Sequence, residues 1–595
     1  MVSPDKHFAN GVDLQANEPH TAQGEVTSLN FQLFRLIKTS PLILVAAIAA
    51  CIFAIRMMAP PNLLDQDQER PASYVLDVIK NGNWLCQRDW TGAITSKPPL
   101  YTWLCAIATQ PFGRINLFAL YLPGALAGFG IAWLLFHFGR VSFGARSALF
   151  GALMSMLTSA GFKEFGLART DGVFAFMVTG AALLAFKAWM TGRGWTWFWL
   201  MTAAATLTKG PLGLVLPAGG LLACVWEKKS GDALPIRGAY LRGALLFILI
   251  TAGWLLASYW QYGTPVLKKL LLKEFVGQAA GTTVKHAPGT LIYQPPLYYL
   301  GRAAPWSLLA YWGLWRIWRR PSAEINARRL ERFLFCWFAV GLALFSIAPH
   351  QRADHLWPIM PAGALIAGVE LARLTQSFSP RVVYRCSAVV IITILLGFSC
   401  YYFGPGARVP IISQTVAIKK LAAAIEQKGG KEFPLTHVDD PIGLQVYLNT
   451  LRPRVSYERA ARLLRGSRPA FVAINDLKKL ESAGHEDNKL SYTKLLSTGS
   501  GKTNVTYIIG NRSTFERANS MACCFGPIFI HTSDAWLLNL TEKEACFEIT
   551  TEPGQILVTN ESPEPRDMSV CFFSNGVHQP RRKKLAGNES WIPRM

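Results

Sequence analysis

The residues of this chain that could do chemistry are carboxylates and cations at the ends of long apolar runs. In chain order they include Asp67, Lys97, Arg169 with Asp171, Lys209, and Arg352 with His355. A carboxylate can take up a proton, and Lys and Arg side chains can bind an anionic group. Ionisable groups at a bilayer boundary are energetically expensive, so their accumulation there usually marks a functional site. The pattern therefore predicts an active site at one face of a membrane.

The composition indicates a membrane protein. Of 595 residues, 51% are hydrophobic and only 16% are charged, whereas charged residues make up about 25% of an average soluble domain. The formal net charge is +23, but the basic residues interrupt apolar runs instead of forming one polyanion-binding face. We therefore expect the protein to reside in a membrane and not to bind nucleic acid.

Apolar runs of transmembrane length recur up to about residue 403 and stop beyond Gly404. Each needs roughly 20 residues to cross about 30 Å of hydrocarbon. The runs fall near 41–58, 116–138, 147–163, 173–190, 195–208, 211–226, 240–262, 295–317, 333–348, 356–372 and 385–403. A shorter run, 98–112, is predicted not to cross. The expected fold class is a polytopic α-helical membrane protein of about 11–13 transmembrane helices.

The orientation follows from the short connections that are rich in Lys and Arg, which favour the cytoplasmic side. These connections are 139–146, 187–194, 227–242, 316–332 and 373–385. The N-terminal segment 1–40 is then cytoplasmic as well. The segments 59–97, 163–172, 209–210, 263–294 and 349–355, together with everything after 403, face the other side. All the candidate residues named above lie in this second group, so we expect one site at the outer leaflet.

A series of short motifs resembles those of a known family. The motifs are Asp67-Gln-Glu-Arg, Asn81-Gly-Asn-Trp84, Ser96-Lys-Pro-Pro-Leu100, Ala168-Arg-Thr-Asp171, Leu207-Thr-Lys-Gly-Pro-Leu-Gly213, Pro296-Leu-Tyr-Tyr-Leu300 and Arg352-Ala-Asp-His-Leu-Trp-Pro358. In this order they resemble the GT-C glycosyltransferases, and more narrowly the family of bacterial aminoarabinose transferases of lipid A and protein O-mannosyltransferases. The family usually has Glu where this chain has Gln68 and Ser96.

The resemblance implies an inverting sugar transfer at the outer face of the cytoplasmic membrane. The donor would be a polyprenyl-phosphate sugar, and the acceptor lipid A, another glycolipid or a protein. Asp67 is then the expected general base, although Asp65 and Glu69 are neighbouring alternatives. Asp171 is a second catalytic candidate, but an acid is also favoured there as the first residue of a helix.

The remaining site candidates are cations that would bind the substrate. They are Lys97, Arg169, Lys209, His286, Arg352 and His355. Lys97 would contact the donor phosphate, or else be a Lys that extends to the membrane interface. No metal or nucleotide motif is present, so we expect no obligatory metal and no cofactor.

The chain after residue 403 has a different pattern. Residues 404–510 alternate helix-like and strand-like segments, which predicts an extracytoplasmic α/β domain. Residues 511–595 carry short apolar runs broken by Pro, Gly and Asn, which predicts a β-rich region. Neither carries a catalytic motif, so we expect a role in acceptor binding or assembly.

Two other functions remain open from the sequence. A polytopic lipid or sugar transporter would place charges near the bilayer midplane and show internal repeats, which we do not find. A family member that has lost catalysis and acts as a binding subunit is favoured by Gln68 and Ser96.

Overall fold

The structure is a computed structural model. It describes residues 41–65, 67–232, 234–270, 291–349, 351–429, 434–466, 470–483, 490–498 and 505–511, and the strand segments 529–532, 547–552, 555–560, 566–574, 577–585 and 590–591. The N-terminal segment 1–40 lies outside the described residues, so its predicted cytoplasmic place stays a prediction.

The described chain up to residue 429 is almost entirely helical. The α-helices are Pro41–Met58, Glu69–Asn81, Leu100–Thr109, Leu117–Met156, Ser159–Glu164, Asp171–Thr191, Trp195–Lys209, Leu212–Gly219, Ala223–Lys229, Tyr240–Tyr262, Thr264–Leu267, Gln294–Arg302, Ser307–Arg319, Ile325–Ile347, Met360–Leu374, Pro380–Phe403 and Pro410–Gly429. Seven helical segments of the described residues are long and apolar enough to cross a membrane. This confirms the prediction of a polytopic helical membrane protein.

The 40-residue helix Leu117–Met156 is a hairpin of two helices. Gly144 interrupts it with φ 81° and ψ 161°. A Cβ atom placed on Gly139 would lie 3.2 Å from the Cβ of Ala148, although nine residues of straight helix would separate them by about 13 Å. The chain therefore reverses at Gly144, which agrees with the predicted connection 139–146 between two spans.

Several of the other predicted spans are shorter or broken in the structure. The run 195–208 forms a helix of 15 residues, which is about 22 Å long and shorter than the hydrocarbon thickness. The run 211–226 is divided by a 3-10 turn at Gly220–Leu222, and the run 295–317 is divided between Arg302 and Ser307. The segment 98–112 contains the 10-residue helix Leu100–Thr109, which is too short to cross.

The connections of the helices gather at two opposite ends of the bundle. Contacts join the five predicted cytoplasmic connections to one another: Arg146 to the Thr375 carbonyl, Arg373 to Glu331, Arg332 to Glu227, and Trp189 to the Leu234 carbonyl. Other contacts join the segments predicted to lie outside: the Ala168 amide to Gln68, Arg169 to Asp354, and Lys209 to Asp171. The predicted separation of the two groups is therefore present in the structure.

The α/β domain after the last transmembrane helix has a four-stranded sheet. Its strands are β1 (Leu435–His437), β2 (Phe471–Ile474), β3 (Thr493–Ser497) and β4 (Tyr507–Gly510), in the order β1-β2-β4-β3. Strands β1 and β2 are parallel, and the other pairs are antiparallel. The helices Ile442–Tyr447, Tyr457–Arg465 and Leu477–Ala483 complete the domain. This mixture of helices and strands agrees with the α/β pattern predicted for residues 404–510.

The α/β domain contacts one end of the transmembrane bundle. Arg114 pairs with Glu426 at 2.7 Å, and the Gly443 amide donates to Glu69 at 2.6 Å. Burial raises the pKa of the Glu69 carboxyl, although the Gly443 N–H opposes this effect. The domain therefore contacts the loop that leads into helix Glu69–Asn81.

The C-terminal region contains strands, as predicted. They are β5 (Phe529–Thr532), β6 (Phe547–Glu552), β7 (Gln555–Asn560), β8 (Arg566–Ser574), β9 (Val577–Leu585) and β10 (Ser590–Trp591). They form two three-stranded antiparallel sheets, ordered β10-β7-β6 and β5-β8-β9. The domain boundaries at 403/404 and 510/511 remain predictions.

A glycine contact at the centre of the bundle gives the first testable prediction. A Cβ on Gly368 would lie 2.3 Å from the Gly151 backbone nitrogen and 2.7 Å from the Ser147 carbonyl oxygen. Small residues allow such close approach between membrane helices, and backbone atoms cannot move aside. We expect Gly368→Ala to destabilise the protein by about 2 kcal/mol or more, measured as a lower thermal midpoint in detergent.

The matched control is Gly253→Ala in helix Tyr240–Tyr262. A Cβ on Gly253 meets nothing within 4 Å, so this change should leave the midpoint unchanged or slightly higher, because Ala favours helix more than Gly. Equal midpoints for the two variants would contradict the close packing at Gly368.

Candidate active site

The predicted base, Asp67, lies in the loop before helix Glu69–Asn81. Its backbone is left-handed, with φ 58°, a conformation that Asp tolerates better than most side chains. Its carboxylate is 73% exposed and accepts hydrogen bonds at 3.3 Å from both Nη atoms of Arg352, which is itself half-exposed. Two predicted site residues 285 positions apart in the chain are thus in contact.

Asp171 lies deeper and is held by two cations. It is the first residue of helix Asp171–Thr191 and is only 3% exposed. Lys209, the last residue of helix Trp195–Lys209, donates a hydrogen bond to one carboxylate oxygen, and Arg169 pairs with the other at 3.1 Å. A buried carboxylate needs such partners. The motifs Ala168-Arg-Thr-Asp171 and Leu207-Thr-Lys-Gly therefore meet at one point.

Asp354 joins three more elements to this cluster. Its carboxylate pairs with Arg169 at 2.8 Å, with Lys163 at 3.4 Å and with Arg302 at 3.5 Å. Arg169 lies between Asp354 and Asp171 and contacts both. The two acids and the cations around them form one connected network, which we call the Asp354–Asp171 cluster: Lys163, Arg169, Asp171, Lys209, Arg302 and Asp354.

Glu164 lies beside this cluster and is fully enclosed by protein. Burial raises the pKa of its carboxyl to about 8, the Asp171 carboxylate adds to the rise, and Arg169 and Lys163 oppose it. Burial likewise lowers the pKa of Lys163, against the attraction of Asp354. The Glu164 carboxyl is therefore shifted toward its neutral form, and the six residues of the cluster itself comprise four cations and two carboxylates.

The structure places the other predicted site residues as follows. His355 follows Asp354 directly, interacts electrostatically with Asp171 and lies near the Phe345 ring, at 6.2 Å between centroids. Lys97 is half-buried ahead of helix Leu100–Thr109, and its backbone carbonyl accepts a hydrogen bond from Thr95. The contact of Lys97 with the donor phosphate stays a prediction. His286 lies outside the described residues.

Four residues of this region were not among the predicted site residues: Lys163, Glu164, Arg302 and Asp354. Lys163, Glu164 and Asp354 fall in the outer segments 163–172 and 349–355, so their position along the sequence was a usable signal. Arg302 follows the motif Pro296-Leu-Tyr-Tyr-Leu300, and its ion pair with Asp354 depends on the fold alone.

An open groove of about 760 Å³ begins at the cluster. Its polar end is lined by Arg56, Asn62, Asp65, Ser159, Lys163 and Arg302, and its other wall by Ile394, Gly397, Phe398, Tyr401 and Tyr402 of helix Pro380–Phe403. The guanidinium of Arg56 lies 3.9 Å from the centre of the Tyr402 ring. The groove therefore combines a cationic end with an apolar wall that faces the membrane region.

The chain is similar in sequence and in fold to known proteins. Residues 96–256 match the family model described as dolichyl-phosphate-mannose-protein mannosyltransferase. The chain is 26% identical over 364 residues to undecaprenyl phosphate-alpha-4-amino-4-deoxy-L-arabinose arabinosyl transferase 1 of Pseudomonas fluorescens, covering 59% of this chain and 63% of that relative. A second such transferase, from Proteus mirabilis, is 26% identical over 351 residues, which are 55% of this chain and 60% of the relative.

The fold comparison extends further along the chain. The crystal structure of ArnT from Cupriavidus metallidurans bound to undecaprenyl phosphate superposes with a TM-score of 0.63 at 18% identity, covering 79% of this chain and 98% of that one. The chain therefore has the GT-C fold, and it is similar in sequence to the aminoarabinose transferases and to the protein mannosyltransferase family model. It is a multi-pass membrane protein. The matched segments span less than two thirds of the length of the curated relatives.

The second prediction concerns Glu164, the buried acid beside the Asp354–Asp171 cluster. The unfolded chain releases the Glu164 proton near the ordinary pKa of 4.5, whereas the folded protein retains it up to about 8. Wild-type stability should therefore decline as pH rises between these two values and level off above the second. We expect Glu164→Gln to gain stability relative to wild type over this range, by a few kcal/mol at most.

Thermal midpoints at about pH 5 and about pH 9 measure this difference. The control is Glu458→Gln, which changes an exposed carboxylate in the first turn of helix Tyr457–Arg465. It should show no such gain at alkaline pH. Parallel pH profiles for wild type and Glu164→Gln would contradict a buried, protonated Glu164.

Proposed function

We propose that this protein transfers a sugar from a polyprenyl-phosphate donor to an acceptor at the outer face of the cytoplasmic membrane, with inversion at the anomeric carbon. One observation carries the proposal: a surplus of largely buried positive charge lies at the end of an apolar groove. A lipid that ends in a phosphate matches both features, because its tail suits the apolar wall and its head group suits the cations.

The cationic end of the groove is suited to the donor phosphate. Lys163 and Arg302 line the groove and also pair with Asp354. The four cations of the Asp354–Asp171 cluster exceed its two carboxylates, so an added anion would be stabilised there. The same charges would stabilise the phosphate as it departs, which is the main electrostatic requirement of the reaction.

The apolar wall is suited to an isoprenoid chain. Helix Pro380–Phe403 is long and apolar enough to cross a membrane, and Ile394, Gly397 and Phe398 face the groove. Tyr401 and Tyr402 lie between these residues and the cations. A lipid tail along this helix would place its phosphate near Lys163 and Arg302.

In this proposal, Asp67 receives the proton of an acceptor hydroxyl. In the transfer, the acceptor oxygen forms a bond to the anomeric carbon, the bond from that carbon to the phosphate oxygen breaks, and its electron pair leaves with the phosphate. Asp67 takes the acceptor proton, and Arg352 orients its carboxylate. Asp171 keeps Lys209 and Arg169 in place rather than transferring a proton, because both its oxygens are already engaged.

The outer placement of the site and of the α/β domain belongs to the same proposal. The five connections rich in Lys and Arg gather at the end of the bundle opposite the cluster, and such connections favour the cytoplasm. The cluster and the α/β domain then lie on the other side. The relatives named above carry undecaprenyl phosphate aminoarabinose in their names, so this donor is the first to test, with lipid A or protein as acceptor.

The third prediction concerns Asp67. Asp67→Asn should lower sugar transfer by about 10²- to 10⁴-fold, because the amide cannot accept the acceptor proton. The measurement is transfer of labelled sugar from a panel of undecaprenyl-phosphate donors by the purified protein in lipid vesicles. Glu458→Gln, an exposed acid-to-amide change in the α/β domain, is the control and should keep full activity.

Two results would count against the reaction as written. Full activity of Asp67→Asn would remove its role as base. Binding of undecaprenyl phosphate by the wild type without transfer from any donor would favour a non-catalytic binding subunit.

The fourth prediction separates donor binding from turnover. Arg302→Met removes a cation that lines the groove but leaves Asp354 paired with Arg169 and Lys163. Loss of one charged contact to a phosphate costs about 1.5–3 kcal/mol, so the affinity for undecaprenyl phosphate should fall about 10- to 100-fold. Binding is measured by titration of the detergent-solubilised protein with this lipid.

Arg328→Met is the matched control, because Arg328 forms ion pairs with Glu227 and Asp232 at the opposite end of the bundle. It should leave the affinity unchanged. Equal affinities of wild type and Arg302→Met would exclude the groove as the donor site.

A further inference from the structure

We infer that Gln68 is a positioning residue that holds the loop of Asp67 and the loop of Arg169 in a fixed relation. The inference rests on the proposed function, since it concerns the same site. Gln68 follows the candidate base directly and is completely buried. It also occupies the position at which the resembled family usually has Glu, so its role bears on whether this chain is an active enzyme.

The side-chain amide of Gln68 bridges two loops with three hydrogen bonds. Its NH₂ group donates to the carbonyls of Asn62 at 2.7 Å and Asp65 at 3.0 Å. Its carbonyl accepts from the Ala168 amide at 2.7 Å. The first two bonds close the turn that contains Asp67, and the third attaches that turn to the residue before Arg169.

Neighbouring side chains strengthen the same junction. Asn62 donates to the Gly166 carbonyl at 3.3 Å and accepts from the Tyr121 hydroxyl at 2.7 Å. Arg56 donates to the same Gly166 carbonyl at 2.9 Å. Segments 62–68 and 166–168 are therefore linked at two points, and Gln68 is the link adjacent to Asp67.

Because the backbone of Asp67 is left-handed, its conformation depends on this link. Asp67 has φ 58°. A residue other than glycine keeps this left-handed conformation when contacts with the surrounding structure hold it in place. The bonds from Gln68 on one side and the ion pair to Arg352 on the other supply that constraint. Without Gln68, the carboxylate of Asp67 would lose its fixed distance from Arg169 and the cluster.

The chemistry of the junction favours a neutral side chain that both donates and accepts hydrogen bonds. Two carbonyl oxygens face the NH₂ group of Gln68, so a carboxylate here would place negative charge against them without a donor. A protonated Glu could donate to one carbonyl and still accept from Ala168. Gln68 therefore provides the two hydrogen-bond donors at every pH. Its presence in place of the usual Glu keeps the two loops linked and does not indicate that catalysis has been lost.

The experiment compares Gln68→Glu and Gln68→Met with wild type in the vesicle transfer assay. We expect Gln68→Glu to lose about 10- to 100-fold in turnover at neutral pH and to recover part of it as pH falls and the carboxyl becomes protonated. Gln68→Met, which can make none of the three bonds, should lose activity at all pH values. Wild type should not show the recovery at low pH.

Gln445→Glu is the matched control. Gln445 is also completely buried, and its amide donates to the Arg452 carbonyl and accepts from the Arg452 amide, but within the α/β domain. It should lower thermal stability while the folded protein keeps its turnover and pH profile. Unchanged turnover of Gln68→Glu at neutral and alkaline pH would overturn the inference, as would an equal, pH-dependent loss in Gln445→Glu.

A second measurement does not depend on activity. Hydrogen exchange of segment 166–169 should be faster in Gln68→Met than in wild type, because the Ala168 amide loses its acceptor. Unchanged exchange would also overturn the inference. If wild type transfers no sugar while this exchange responds as expected, the proposed function has failed and the link between the two loops stands.

Discussion

The site depends on the mutual neutralisation of charges that lie inside the protein. Asp171 and Asp354 are each held by at least two cations, and Arg169 contacts both acids. A buried ion without a partner would be costly enough to reorganise its surroundings. Since these residues come from four separate parts of the chain, the cluster ties the helices and loops that carry them into one arrangement. The surplus of cations over carboxylates is what remains available for an anionic ligand.

Ion pairs between buried residues also organise the opposite end of the bundle, but their role there is different. There Glu227 pairs with Arg328 and Arg332, and Glu331 pairs with Arg316 and Arg373. These pairs join the ends of neighbouring helices, and the groove with its apolar wall lies at the other end. Similar residue types thus join helices at one end, whereas at the other end they adjoin a groove, where the proposed function gives them a ligand-binding role.

Local patterns in the sequence predicted much of the fold, and long-range contacts explain the rest. Apolar runs located the helices, and the basic connection 139–146 anticipated the reversal at Gly144. The pairing of Asp67 with Arg352 and of Asp171 with Lys209 joins predicted site residues, but nothing local specified these partners. Arg302 and Glu164 were missed because their roles come from an ion pair and from burial. The breaks in the runs 211–226 and 295–317 were missed because hydrophobicity does not report helix continuity.

The loop of Asp67 connects the membrane bundle with the α/β domain. Gln68 attaches it to segment 166–168 of the bundle, and the next residue, Glu69, accepts from the Gly443 amide of the domain. Two successive side chains therefore fix the loop from opposite sides. The exposed carboxylate of Asp67 lies only two residues along the chain from this contact with the α/β domain. Under the proposed function, the domain therefore lies beside the residue that receives the acceptor proton, which gives it a physical role although it carries no catalytic motif.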